Sequence, residues 1–557
     1  RESLYLLGIP PQEWEIFIRQ SLLSLHGWGG MIWQMEVRGD RVAHPVPKGS
    51  LTEFLTVRLL LDRLAVAAVA KESLGYTGPL AELRHHLKQT VSRKSGVDIE
   101  QRGFTLFQLA QLLPGWTPPS LYKLPKQSWG ELIGEIESFG DIERCRIYQL
   151  SFERRYRMWA LDAIGVHGRI KQARPLCPSF QLITCIDDRE ESLRRHVEEL
   201  LPEVETFGAA GFFSVPMYYR GSADANFVPL CPIVILPQHW VQEVCDPSSA
   251  SEDLRRQRTR RLLGAATHSV HVGSRSFTGG ALLTAVFGPL ASVPLTARIL
   301  FPRFTAQLRR FAARFVQPVL DTDLTLERRQ DPPSPHEHHL GFTVDEMTAF
   351  VDRLLGDIGL TSNFARIVVV LGHGSSSLNN PHEAAYHCGA CGGNRGGPNA
   401  RAFARMANDP RVRQRLEAKG IRVPQQTYFV GAFHNTCDDS IVFEDLDQLP
   451  ESHRADFERV QETLDQAREI NAHERARRFE LASLDLTPTS ALHHVEARAE
   501  DLAQTRPEYN HATNAMCVVG RRTRTRGLYL DRRSFLVSYD PTQDDDEASI
   551  LMRILSA

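Results

Sequence analysis

The run Ile367-Val-Val-Val-Leu371 is apolar at every position, and no other stretch constrains the fold so tightly. Without polar alternation it reads as a strand buried on both faces, as in a parallel sheet covered by helices. It ends in Gly372-His373-Gly374, so an imidazole emerges where the strand stops. Phe180-Gln-Leu-Ile-Thr-Cys185-Ile-Asp187-Asp-Arg189 reads the same way, with a thiol and a carboxylate at its carboxyl end. Loops from neighbouring strands converge at such ends, which is where open parallel sheets bind ligands. His387-Cys388-Gly-Ala-Cys391 follows the second strand closely enough to add another thiol. Cys185, Asp187, His373 and Cys388 together offer two sulfurs, one nitrogen and one oxygen, a mixture that tetrahedral Zn2+ accepts.

The expected fold class is α/β, with a central, mainly parallel sheet, a large helical N-terminal region and a helical insertion. At 557 residues the chain has material for two to four domains. Its 65 basic and 67 acidic residues nearly cancel, so no bulk field draws it to nucleic acid. The nine cysteines are odd in number and scattered, which argues against a disulfide framework and for a reducing compartment. No signal-peptide pattern opens the chain, which is expected to be trimmed at both ends, including the C-terminus.

The organisation expected is a mainly helical region over 1–175 and a first part of the metal-binding core over 176–240. A helical and loop-rich insertion follows over 241–360, then a second part of the core over 361–440. Helical material and C-terminal strands completing the core fill 441–557. Leu51 to Ala70 and Tyr148 to Trp159 are expected to be packing helices. Further strands are expected over Asn226 to Leu236, Thr427 to Phe433 and Met516 to Val519, and a helix over Glu190 to Leu201. The stripe Arg303, Arg309, Arg310, Arg314 reads as a solvated helix face. Phe277 to Ala297 has no charge and bilayer-spanning length, but its Gly and Pro residues favour a buried hairpin or a partner-facing surface over a membrane helix. His336, His338 and His339 lie in a Pro-rich linker and read as a solvated loop. Asp544 to Asp546 reads as an acidic turn or helix start.

In Cys185-x-Asp187-x-Arg189 the first two side chains can face one ion, and Arg189 can grip the Asp187 carboxylate bidentately. An aspartate able to alternate between metal and arginine gates the fourth coordination position. With Asp187 on Arg189, water can reach zinc, which lowers its pKa to roughly 7. The small-residue loop Leu371 to Pro381 lacks a P-loop lysine, which weakens a phosphate-binding reading. Cys388 and Cys391 form a lone CxxC, so a redox dithiol stands as an alternative. Gly392, Gly393, Gly396 and Gly397 suggest a tight loop against the site.

The segments CIDDREES, GHGSSSLNNPHEAAYHCGACGGNRGGPNARAFA, FHNTCDD and HATNAMCVVGRRTRTRGLYLDRRSFLVSYDP resemble the DabA family, over nearly the whole chain. The resemblance implies a site and sheet related to β-carbonic anhydrases, although His373 and Cys388 here are fifteen residues apart. It places zinc ligands on Cys185, Asp187, His373 and Cys388, with Asp187 and Arg189 as the catalytic pair. It also implies peripheral attachment at the cytoplasmic face of the inner membrane, on an antiporter-like integral membrane subunit of DabB type. The activity implied is energy-coupled hydration of CO2 to bicarbonate. A stand-alone zinc hydrolase and a non-catalytic zinc assembly module are the alternatives. Cys437 stands where the family motif leads one to expect threonine, and a buried small residue is its expected role.

Overall fold

The computed structural model describes residues 1–557 other than 25–26, 42–44, 95–103, 105–107, 109–116, 118, 121–122, 171–173, 317–320, 377–381, 503, 505–507, 509–510 and 557. Much of the hydroxyl- and amide-rich loop after Ser376, and the side chains of Arg310 and Arg314, therefore lie outside the described residues. Two compact units divide between Arg144 and Cys145.

Residues 1–144 are mainly helical where described, with Ser50–Leu74 the longest helix. Their small core gathers Leu4, Ile9 and Leu59, against which Trp14 and Phe17 pack. The expectation that Leu51 to Ala70 is a packing helix is corrected in part. Only Leu59 and Ala70 of that helix are buried, while Val57, Leu61 and Leu64 are more than half exposed. The helix Asp141–His167 also leaves most of its apolar side chains exposed and buries Tyr156, Ala160 and His167. Among the described residues nothing covers either apolar face.

The second unit is built on a five-stranded sheet. Its strands are β1 (Gln181–Cys185), β2 (Glu205–Ala209), β7 (Ile367–Gly374), β8 (Tyr428–Asn435) and β9 (Ser440–Phe443), in the order β2-β1-β7-β8-β9. The first four run parallel and β9 is antiparallel to β8. Alternate residues of β7 enter two separate cores, which is why an all-apolar run was required there. Val368 and Val370 pack with Phe403 and Met406 of the helix Gly397–Asn408 and with Met347 and Val351 of the helix Val344–Asp357. Ile367, Val369 and Leu371 pack with Leu193 and Val197 of the helix Asp188–Leu200 and with Val460 and Leu464 of the helix Arg454–Ala476. The result is a three-layer α/β arrangement with the carboxyl ends of β1 and β7 side by side.

A four-stranded mixed sheet, β4-β3-β5-β6, comprises β3 (Met217–Arg220), β4 (Val228–Leu230), β5 (Trp240–Cys245) and β6 (Thr322–Leu324). The strand expected over Asn226 to Leu236 is thus corrected to three residues. Pro229 is tolerated because β4 is an edge strand, and Pro232 beyond it has no N–H to continue the ladder. The C-terminal strands β10 (Met516–Gly520) and β11 (Ser534–Ser538) form their own parallel pair. That pair does not extend the central sheet. It leans on β2 and the β1 turn, with the Leu536 N–H donating to the Ile186 carbonyl at 3.1 Å.

Of the two readings of 277–297, a buried hairpin or a partner-facing surface, the buried hairpin is overturned. One helix, Phe277–Leu300, runs through Pro289 and Pro294 with no buried residue. Ser276 Oγ caps it by accepting the Gly279 N–H at 3.1 Å. Each proline removes one N–H donor, but the carbonyls so freed lie on an exposed helix where they meet no apolar cover. This helix is long and apolar enough to cross a membrane. The histidine-rich linker contains an exposed 3-10 turn, Glu337–His339, and Asp544 accepts the N–H groups of Ile550 and Leu551 at the start of the last helix.

Candidate metal centre

Cys185 closes β1, His373 lies near the end of β7, and Cys388 sits just before the short 3-10 turn Gly389–Cys391. All three are buried, and their potential ligand atoms lie within 4.8 Å of one another. Gly211 makes room for the two thiols: a Cβ there would stand 2.6 Å from Cys388 Sγ and 3.0 Å from Cys185 Sγ. The expected glycine loop closes on the same place. Gly392 and Gly393 have positive φ, the Gly396 N–H donates to the His373 carbonyl at 2.9 Å, and a Cβ on Gly372 would strike Gly396 O at 2.3 Å.

Among the described residues neither ring nitrogen of His373 makes a well-formed hydrogen bond, although the residue is fully buried. Burying an imidazole without well-formed hydrogen bonds is costly unless something else occupies its lone pair. The thiols are strained in the same sense. The neighbouring Cys388 and then burial push the Cys185 thiol well above its ordinary range. Two thiols and a histidine pressed together without a cation would stay protonated, and coordination of a divalent ion removes that penalty. The donor set therefore fits a thiophilic metal.

Asp187 belongs to a second cluster, with Asp188 and His511, and is also held by Arg189. Arg189 Nε donates to Asp187 Oδ1 and Nη2 to Oδ2, each at 2.9 Å. The helix expected from Glu190 begins at Asp188, and Asp187 is its N-cap, accepting the Arg189 N–H at 2.9 Å. Asp187 Oδ2 also stands 3.3 Å from His373 Nε2, so the carboxylate borders the three-residue cluster while Arg189 holds it. Burial alone would raise its pKa, but Arg189 and then His373 hold it well below the usual carboxylate range. Arg189 is anchored in turn by the Tyr386 carbonyl at 2.7 Å, Thr436 Oγ1 at 3.3 Å and Glu508 Oε1 at 3.3 Å.

Sequence reading assigned no role to His511, Glu508 or Thr436, although His511 and Thr436 lie in segments that carry the family resemblance. His511 donates or accepts at Asp188 Oδ1 over 2.9 Å and brings Nε2 to 3.5 Å from Asp187 Oδ2. It is the one member of the two clusters with substantial exposure, about a third of its side chain. Burial opposes its charge, but Asp188 and Asp187 raise its pKa. Cys391 is buried beside the cluster and donates its thiol to the Gly211 carbonyl at 3.3 Å. Cys437 is fully buried, as expected of a small core residue, and its carbonyl accepts from Arg475 Nη2 at 3.0 Å.

No solved structure matches this chain. The family model described as "Probable inorganic carbon transporter subunit DabA" matches residues 1–557. Curated relatives carry the same description. One from Rhodopirellula baltica is 50% identical over 100% of this chain and 52% of its own length. One from Sorangium cellulosum is 43% identical over 99% of this chain and 54% of its own length. A third, from Methylococcus capsulatus, is 39% identical over 99% of this chain and 57% of its own length. The chain thus spans about half the length of the curated relatives it matches. With the family model covering every residue and half of all positions identical to a curated member, the chain belongs to the DabA family.

Proposed function

We propose that this chain forms the zinc-holding part of an inorganic-carbon transporter subunit, and that it hydrates CO2 to bicarbonate vectorially. The observation that carries this reading is the buried convergence of Cys185, His373 and Cys388 beside an aspartate gripped by an arginine. In this reading Cys185, His373 and Cys388 hold zinc, and Asp187 is a fourth ligand that Arg189 can withdraw. The sheet and turn are taken as β-carbonic-anhydrase-like on the strength of the Cys-x-Asp-x-Arg pattern. Zinc bound there would supply Lewis acidity and make water acidic enough to ionise near neutral pH.

The chain's own residues then do the positioning. Arg189 holds the Asp187 carboxylate through two parallel hydrogen bonds, and so would keep it off a metal held by Cys185, His373 and Cys388. The surrounding apolar shell, Ile186, Phe212 and Ala390, limits how much other water enters. The relatives' description as transporter subunits supports a partner. We take that partner to be an antiporter-like membrane subunit of DabB type, with this chain peripheral on the cytoplasmic face of the inner membrane. Cation flux through it would drive the gate.

Elemental analysis of the purified protein tests the site. About one zinc per chain, lost on Cys185→Ala and on His373→Ala, is expected. CO2-hydration assays with and without the membrane partner then test the activity. No metal, or metal indifferent to both substitutions, overturns the reading. Full carbon uptake by Arg189→Ala with zinc retained would leave only a non-catalytic assembly role.

A further inference from the structure

Arg189 is buried with one more carboxylate than its grip on Asp187 uses. Nε and Nη2 hold Asp187, while Nη1 lies 3.3 Å from Glu508 Oε1. Glu508 is only 5% exposed, and its other carboxylate oxygen has no hydrogen-bond partner among the described residues. It also serves a second buried guanidinium: burial opposes the charge on Arg475, and Asp439 and then Glu508 favour it. Asp188, the other acid near Arg189, is engaged with His511 at 2.9 Å.

A buried arginine that loses its anionic partner is left as an uncompensated charge, which would hold Asp187 in place. Glu508 removes that hold, because Arg189 stays neutralised when Asp187 departs. We propose that Glu508 is a positioning residue that sets the balance between Asp187 on Arg189 and Asp187 on the metal. The proposal rests on the reading of Asp187 as an exchangeable ligand. Glu508 never touches the metal in this account and acts only through Arg189.

The test is the visible spectrum of the cobalt-substituted protein, which distinguishes a site closed by a carboxylate from one open to water. Asp187→Asn supplies the open reference. In Glu508→Gln the charge is gone and the shape kept. Its spectrum should move toward the open reference, with the closed-to-open ratio falling roughly tenfold and one cobalt per chain retained. Glu508→Asp keeps the charge but draws it back by one methylene. It should move the spectrum the same way by less, and it decides the matter if Glu508→Gln does not fold. An unmoved spectrum in the Glu508 variants, while Asp187→Asn departs from wild type, overturns the proposal and leaves the exchangeable ligand intact. If Asp187→Asn also matches wild type, the exchangeable ligand is wrong and the proposal falls with it.

Discussion

Replacing Gly211 by alanine puts one methyl group against the two thiols, and its effect can be worked from distances. The new Cβ would lie 2.6 Å from Cys388 Sγ, 3.0 Å from Cys185 Sγ and 3.3 Å from Cys185 Cβ. Ordinary heavy-atom contact is about 3.5–4.0 Å, so Cys388 must retreat by roughly 1 Å. Zinc–sulfur bonds are about 2.3 Å and tolerate roughly 0.2 Å, so such a retreat is incompatible with an undistorted site. Overpacking of this kind costs about 1–3 kcal/mol. If the cost falls on the metal-bound arrangement, affinity drops roughly ten- to hundredfold. Competition against a chelator measures this, with thermal melting of the metal-free protein as the check on folding. Gly356→Ala is the control: it lies in a helix, a Cβ there meets nothing within 4 Å, and it should leave metal affinity alone. Unchanged affinity in Gly211→Ala would show that the thiols are not held against Gly211 when metal binds, and would refute the geometry.

Two further outcomes follow from the buried charges and the bare helix. Burial opposes protonation of His434, but Glu190 at 2.7 Å and Asp439 at 3.4 Å raise its pKa to about 9. A raised histidine pKa gives stability that is complete below about 6.5 and lost as pH rises through about 9, a swing of roughly 3 kcal/mol at most. Denaturant melts between those pH values should therefore weaken in wild type, and His434→Gln should be less stable throughout but flatter over the same window. A wild-type slope that persists in the variant would assign it elsewhere. Phe287→Asp and Leu290→Asp, on the exposed face of Phe277–Leu300, should shift stability by no more than about 0.5 kcal/mol. A large loss would mean that face is covered.

What the sequence made legible is what local chemistry dictates. The unbroken apolar run of β7 must be a doubly covered strand, and the shorter apolar stretches of β1 and β8 mark strands as well, so Cys185 and His373 could be placed at strand ends and Cys388 close behind. Glu508 and His511 drew no role because they lie beyond the last long helix in a stretch with no apolar period to mark it. Only the packing of β11 beside β2 and the β1 turn shows how C-terminal residues reach Asp187 and Arg189. Of the two readings of Phe277–Leu300, the buried hairpin failed for the opposite reason. Its composition was clear, but whether an apolar helix is covered depends on neighbours that no local pattern encodes.

Asp187 carries one more load, with a mechanical consequence. Its Oδ1 caps the helix Asp188–Leu200 through the Arg189 N–H, and losing an N-cap costs about 1 kcal/mol. Any departure of Asp187 from Arg189 thus loosens the first turn of a helix that packs against the central sheet. If Asp187 exchanges as proposed, the side chain and the helix end act as a latch and its spring: each departure from Arg189, which closes the metal site, costs the cap and so favours return. Slowed or quickened hydrogen exchange at the first-turn amides would report the latch position without any view of the metal.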